Sequence, residues 1–214
     1  MLRSRGSRAV VAMVVSAIAL SACGTSSSSP PKNNGNSKLT NFLNNLKQGQ
    51  TQTFGATWTY NIDGKVETVS LSQKPPKSMF KVDSTLIVND GSNTYYCQST
   101  TICVKAGSTN PIAAVSDIFT GHIFITQMQS YTTKSSLSAA GYTLTFSDQT
   151  WGGIASTCVE VKKSGNSVSW CAGKSNGILT WWASGANSFT ITNYTTSPAS
   201  SDFQIPAGAH IVTL

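Results

Sequence analysis

The clearest chemistry in this sequence belongs to its five cysteines. Cys23 follows Leu20, Ser21 and Ala22. Small residues just before a thiol suit a peptidase that cuts there once the sulfur carries a diacylglyceryl group. Arg3, Arg5 and Arg8 precede an apolar run, Ala9 to Leu20, broken only by Ser16. That run is shorter than the ~20 residues a membrane-spanning helix requires. A basic start and a short apolar run read as a secretory signal. The expectation is a signal peptide over 1–22, then lipid attachment at Cys23. Several palmitate-like chains, at about 0.8 kcal/mol per buried methylene, would hold the chain on the extracytoplasmic face of the cell membrane.

Cys97, Cys103, Cys158 and Cys171 form an even set, and in an exported chain that implies disulfides, with three possible pairings. Strand geometry selects among them. With Ser164-Gly165 as a two-residue turn, 158 falls opposite 171. Pairs alternate outward from a hydrogen-bonded pair at the turn, which makes 158–171 a non-hydrogen-bonded pair, the closer kind. The short separation suits a cystine. The same register puts Val159, Val161, Val168 and Trp170 on one face and Glu160, Lys162, Ser167 and Ser169 on the other with the cystine. Cys97 and Cys103 bracket a short polar loop and most simply close it.

No other chemistry is announced. There is no GxSxG, P-loop, HExxH or CxxC, and the two histidines, His122 and His210, lie far apart. Neither a metal nor a cofactor is expected, and an enzyme is not. Asp63, Asp83, Asp90, Asp148 and Asp202 sit near expected turns or strand ends; the register could point Glu67 toward an apolar face, but a lone carboxylate near a hairpin end is usually solvated, and that is the expectation. All three arginines lie in the signal, leaving twelve lysines against eight acids, so the mature chain carries +4 rather than +7. The lysines are scattered, so the clustered footprint of a nucleic-acid binder is missing. A monomer is expected.

The elements that would position these residues follow from periodicity. Residues 23–38, rich in Ser, Asn, Gly and Pro, read as a tether. Residues 39–214 suffice for one domain with a sizeable core. Leu39, Phe42, Leu43 and Leu46 make one helical stripe, capped by Asn36 or Ser37 and ended by Gly49. Phe54 to Ile62 alternates as a strand, and Asp63-Gly64 is a hairpin turn. That turn sets Trp58 opposite Val69, Ala56 opposite Leu71 and Tyr60 opposite Glu67. Lys74-Pro75-Pro76 breaks the next strand. Asn110-Pro111 reads as a helix start with Ile112, Val115 and Phe119 on its stripe. Phe124, Met128 and Tyr131 suggest a second helical piece. After Gly141 strands return through Leu144, Phe146, Val159, Val161, Ile178 to Trp182, Phe189 and Ile191. The expected class is α+β, mainly β, with helices on one face of an antiparallel sheet. Trp58, Tyr60, Phe80, Phe146, Trp170 and one or both of Trp181 and Trp182 load its inner face.

From Leu39 to Cys97 the order is helix, long strand, Asp-Gly turn, returning strand, Gln73-Lys74-Pro75-Pro76 and Phe80-Lys81-Val82. The chain closes on Phe203-Gln204-Ile205-Pro206-Ala207-Gly208. This resembles the bacterial lipoprotein-carrier and lipoprotein-receptor superfamily (LolA/LolB-like, including the LppX/LprG-type lipid-carrying lipoproteins). The resemblance implies a strongly curved half-barrel with helices plugging its concave side and an apolar cavity for acyl chains. The insert at about 110–140 falls where a lid would lie. Lined by Trp58, Tyr60, Val69, Leu71, Phe80, Leu144 and Phe146 and covered by Ile112, Val115, Phe119 and Phe124, such a cavity would take a lipid or other hydrophobic ligand. The chain departs from the carriers in having no arginine after the signal, where carriers use one to hold the lid, and in having two cystines. The alternative is an envelope interaction or sensory domain with a filled core and a protein partner.

Overall fold

The computed structural model describes residues 37–106, 121–128 and 134–213. Cys23, the signal, the tether up to residue 36, and Ile112, Val115, Phe119 and Tyr131 lie outside the described residues. No helix among the described residues is long and apolar enough to cross a membrane.

Helix α1 spans Ser37–Gly49, and its stripe of Leu39, Phe42, Leu43 and Leu46 is buried. Six strands follow: β1 (Phe54–Ile62), β2 (Lys65–Lys74), β3 (Lys77–Val82), β4 (Thr85–Asn89), β5 (Thr94–Cys97) and β6 (Ile102–Ala106). Among the described residues, two short helices, α2 (His122–Met128) and α3 (Lys134–Ala139), come before β7 (Thr143–Trp151), β8 (Ile154–Lys163), β9 (Asn166–Gly173), β10 (Leu179–Ser184) and β11 (Asn187–Thr195). A 3-10 turn at Ser200–Phe203 leads to β12 (His210–Thr213).

The twelve strands among the described residues form one open, curved sheet in the order β12-β6-β5-β4-β3-β2-β1-β11-β10-β9-β8-β7. Every neighbouring pair is antiparallel except β12, which runs parallel to β6. Hairpins build each half, and β1 and β11 join the halves. Two of the hairpin turns are the ones expected from the sequence. Asp63 and Gly64 both take positive φ, as a two-residue turn of this hand demands, and so do Ser164 and Gly165. Trp58 stands opposite Val69, Ala56 opposite Leu71, Tyr60 opposite Glu67, and Cys158 opposite Cys171. Both disulfides, Cys97–Cys103 and Cys158–Cys171, are formed, with Cα atoms 4.1 and 3.9 Å apart.

One face of the sheet, here the inner face, meets the helices. Trp58, Leu71 and Val159 are fully buried there. Each large apolar side chain taken from water contributes roughly 1.5–3 kcal/mol. Gly49 at the end of α1 lies so close to Gly177 that an added Cβ would stand 2.4 Å from its carbonyl oxygen. Asn45 Nδ2 donates to the carbonyl of Gly173 at 2.8 Å, and Gln73 Nε2 donates to those of Gln50 and Gln52. These contacts tie α1 across one end of the strands.

The outer face carries two small apolar clusters. Met79, Val88 and Phe203 pack together with Leu86 beside them, and Ser72 Oγ donates to Asp202 at 3.0 Å. Near the other edge, Trp151 of β7 stacks on Trp181 of β10, with ring centroids 4.8 Å apart and planes 3° from parallel. Two strands lie between them, about 14 Å of flat sheet at usual spacing. The sheet must therefore curl sharply toward this face at the β7–β10 wing, and the buried cystine Cys158–Cys171 lies on the same outer face. Of the tryptophan pair, Trp182 points inward and Trp181 outward, because β10 pairs Trp182 with inner Trp170 and Trp181 with Cys171.

Candidate ligand-binding face and the groove beside it

The inner face follows from strand alternation. Trp58, Tyr60, Val69, Leu71 and Phe80 lie together on β1, β2 and β3, all buried. Across β11, β10, β9 and β8 the same face continues as Ile191, Phe189, Trp182, Trp170, Val159 and Val161. Leu144 and Phe146 extend it on β7, half-buried, with four strands between them and β1. On the opposite wing Val82, Tyr96 and Val104 are also half-buried. A bulge between Leu179 and Trp181 frees the Leu179 carbonyl, which accepts a hydrogen bond from Trp58 Nε1 at 2.8 Å, reaching over β11. That bond satisfies the indole N–H of a fully buried tryptophan.

Phe124 of α2 packs edge-on against Phe42 of α1 (centroids 5.6 Å) and lies against Trp170 of β9 (4.4 Å). Gln50 Nε2 and His122 Nδ1 are hydrogen-bonded at 2.8 Å, linking the end of α1 to the start of α2. The Gln73 contacts of α1 lie at the strand ends nearest Phe54, while Phe124 reaches the ladder row that runs from Trp170 through Trp182 and Phe189 to Tyr60. At the opposite ends, by the Asp63-Gly64 turn, the face carries polar groups. The Glu67 side chain is only 7% exposed; it is paired with Lys65, and Tyr60 Oη donates to its Oε2. Glu67 is therefore not solvated, contrary to the sequence expectation: Tyr60 opposite it supplies a donor that lets a carboxylate stay on an apolar face. Burial, and then the charge of Asp83, raise the Tyr60 hydroxyl above its ordinary pKa.

Between α1 and β7–β8 lies an open groove of ≈ 780 Å³. Asn41, Asn44, Asn45 and Gln48 stand at i, i+3, i+4 and i+7 on its helical wall, with Lys38 one turn earlier. Phe146, Asp148 and Thr157 line the sheet wall. Lys174 Nζ is 2.8 Å from Asp148 Oδ2. That hydrogen bond, above all, lowers the Asp148 pKa. Periodicity weighed only the apolar stripe of α1, so it passed over this amide stripe beside it; the same 3.6-residue count applied to Asn and Gln would have found it. Among the described residues, no three of His, Cys, Asp and Glu stand together as metal ligands.

No protein-family model matches the chain. Nor does any curated protein match it. Several solved structures are similar in shape. MucB is similar at a TM-score of 0.49 and 16% identity over 83% of this chain, which spans 66% of MucB's length, just under two thirds. The MucA/MucB complex of Pseudomonas aeruginosa is similar at 0.47 and 14% identity, covering 83% of this chain and 64% of that one. LprF from Mycobacterium bovis is similar at 0.42 and 10% identity, covering 83% of this chain and all (100%) of that one.

Proposed function

We propose that this chain is an exported lipoprotein, anchored through Cys23, whose inner sheet face binds a lipid or other hydrophobic ligand and catalyses nothing. The observation that carries this reading is a mismatch of size. Twelve strands at usual spacing run about 50 Å along the curve of the sheet. A helix of 13 residues is about 20 Å long. Every strand from β7 to β6 puts an apolar side chain on this face, beside the polar Glu67 and Asp148, yet α1 and Phe124 of α2 cover only part of it, and Leu144, Trp182, Val82, Tyr96 and Val104 stay half-exposed. In this reading the helices plug the concave side and acyl chains complete its cover, at roughly 25 cal/mol per Å² of apolar surface removed from water. Selectivity among lipids is then broad, because few polar groups would read the ligand.

The test is native mass spectrometry and solvent extraction of the protein purified from its own envelope with the anchor cut away. Co-purified lipid and uptake of fluorescent fatty acid are expected. Trp182→Lys, which sets a charge on the half-exposed part of the face, should reduce uptake about tenfold or more. An empty protein that takes up neither fatty acid nor phospholipid would end this reading. A second reading, a domain that docks a protein partner, is favoured by the dense packing of Phe42, Phe124 and Trp170 between helices and sheet.

A further inference from the structure

β7 is the outermost strand of the described sheet on its side, nine residues long. Its hairpin register with β8 fixes which backbone groups face outward. Gly152-Gly153 is the turn and Trp151 stands opposite Ile154. The pair flanking a two-residue turn is hydrogen-bonded, and the type alternates along the strands. Trp151, Gln149, Ser147, Thr145 and Thr143 therefore spend their N–H and C=O groups on β8. Thr150, Asp148, Phe146 and Leu144 direct theirs to the open edge.

Those four residues are also the ones on the inner face, beside the groove. An edge strand is usually blunted by lysine, proline, a bulge or brevity. β7 has no lysine and no proline, its pairing with β8 runs without a register shift, and it is long for an edge. Its one charge, Asp148, is paired with Lys174. Facing it across the groove is the row of Asn41, Asn44 and Gln48, exposed carboxamides that both donate and accept hydrogen bonds. Two lysines, Lys38 and Lys174, against one aspartate leave the groove net positive.

We infer that the β7 edge and the α1 groove together form a docking site for an extended, acidic segment of a partner polypeptide. The segment adds a strand to the sheet. Its backbone pairs with Leu144, Phe146, Asp148 and Thr150, its inward side chains enter the groove beside Asn41 and Phe146, and a carboxylate meets Lys38. The inference names the site that the second reading lacks and rests on no property of a lipid.

The experiment is selection of random peptides of about twelve residues, long enough to cover the strand at ~3.4 Å per residue, displayed on phage and panned against the full chain. A selected peptide is then synthesised and amide exchange is measured by NMR. The expected peptides carry Asp or Glu among alternating β-branched residues. Binding should slow exchange at Leu144, Phe146, Asp148 and Thr150 and leave Gln149 and Ser147, already bonded to β8, unchanged. Thr150→Pro removes only an outward N–H and should weaken binding about tenfold, while Asn41→Ala weakens it less. Peptides that bind while protecting amides elsewhere overturn this edge but leave partner docking standing. A selection that enriches no sequence family overturns both. Pairing of β7 with a second copy of the chain, seen as a dimer that Thr150→Pro dissociates, overturns the partner assignment.

Discussion

Tyr60 on β1 donates its phenolic hydrogen to Glu67 directly opposite on β2, so a buried carboxylate survives on the apolar face of the sheet. The pair sits two residues from the turn end of β1, and its placement follows from the Asp63-Gly64 register. Removing the hydroxyl in Tyr60→Phe leaves Glu67 short of a donor. A loss of about 1–3 kcal/mol in urea unfolding at pH 7 is expected. An unchanged midpoint would show that Lys65 alone satisfies the carboxylate.

The same tyrosine makes a pH prediction. Burial and Asp83 raise its pKa above the ordinary 10.0. The folded chain thus keeps a proton that the unfolded chain releases as pH passes about 10. The contribution is fully present below that pH and is lost as pH rises toward the folded value. Between pH 9 and 11 the wild type should lose more stability than Tyr60→Phe; parallel curves for the two would dismiss the effect.

Gly152 tests the curl of the β7–β8 hairpin. Its φ is 55° and an added Cβ would stand 2.7 Å from the Ile191 carbonyl oxygen of β11. Its neighbour Gly153 has φ 79° and nothing within 4 Å of an added Cβ. Gly153→Ala should cost about 1–2 kcal/mol from the left-handed backbone alone. Gly152→Ala should cost more, because backbone must move away. Thermal melts that rank the two alike would contradict the close approach.

The cystine Cys158–Cys171 closes a loop of 13 residues in sequence separation. Replacing both cysteines with serine should lower stability by about 3 kcal/mol. Non-reducing peptide mapping should recover Cys97 with Cys103 and Cys158 with Cys171. A fragment joining Cys97 to Cys158 or to Cys171 would contradict the register of both hairpins.

Cys23→Ala should abolish lipidation and processing at that site. Mass spectrometry of the mature N-terminus reads this directly, and an unmodified Cys23 in the wild type would refute the anchor.

Local rules were enough for what is local. Asp63-Gly64 and Ser164-Gly165 dictate two-residue turns, and each turn fixes a register, which carried Trp58 to Val69, Tyr60 to Glu67 and Cys158 to Cys171. The stripe of α1 was equally legible, since 3.6-residue periodicity is a property of the segment itself. Tertiary structure alone decided the rest. Nothing local says that β1 pairs with β11, since this contact joins segments more than a hundred residues apart. That pairing put Leu144 and Phe146 on the same face as Phe80 but far across the sheet. The sequence likewise left Trp181 and Trp182 unsorted, because a bulge resets alternation between Leu179 and Trp181. Glu67 read as solvated because a lone carboxylate near a turn is usually wet. Its burial depends on a donor across the ladder and on the strands around it, and long-range packing supplies both.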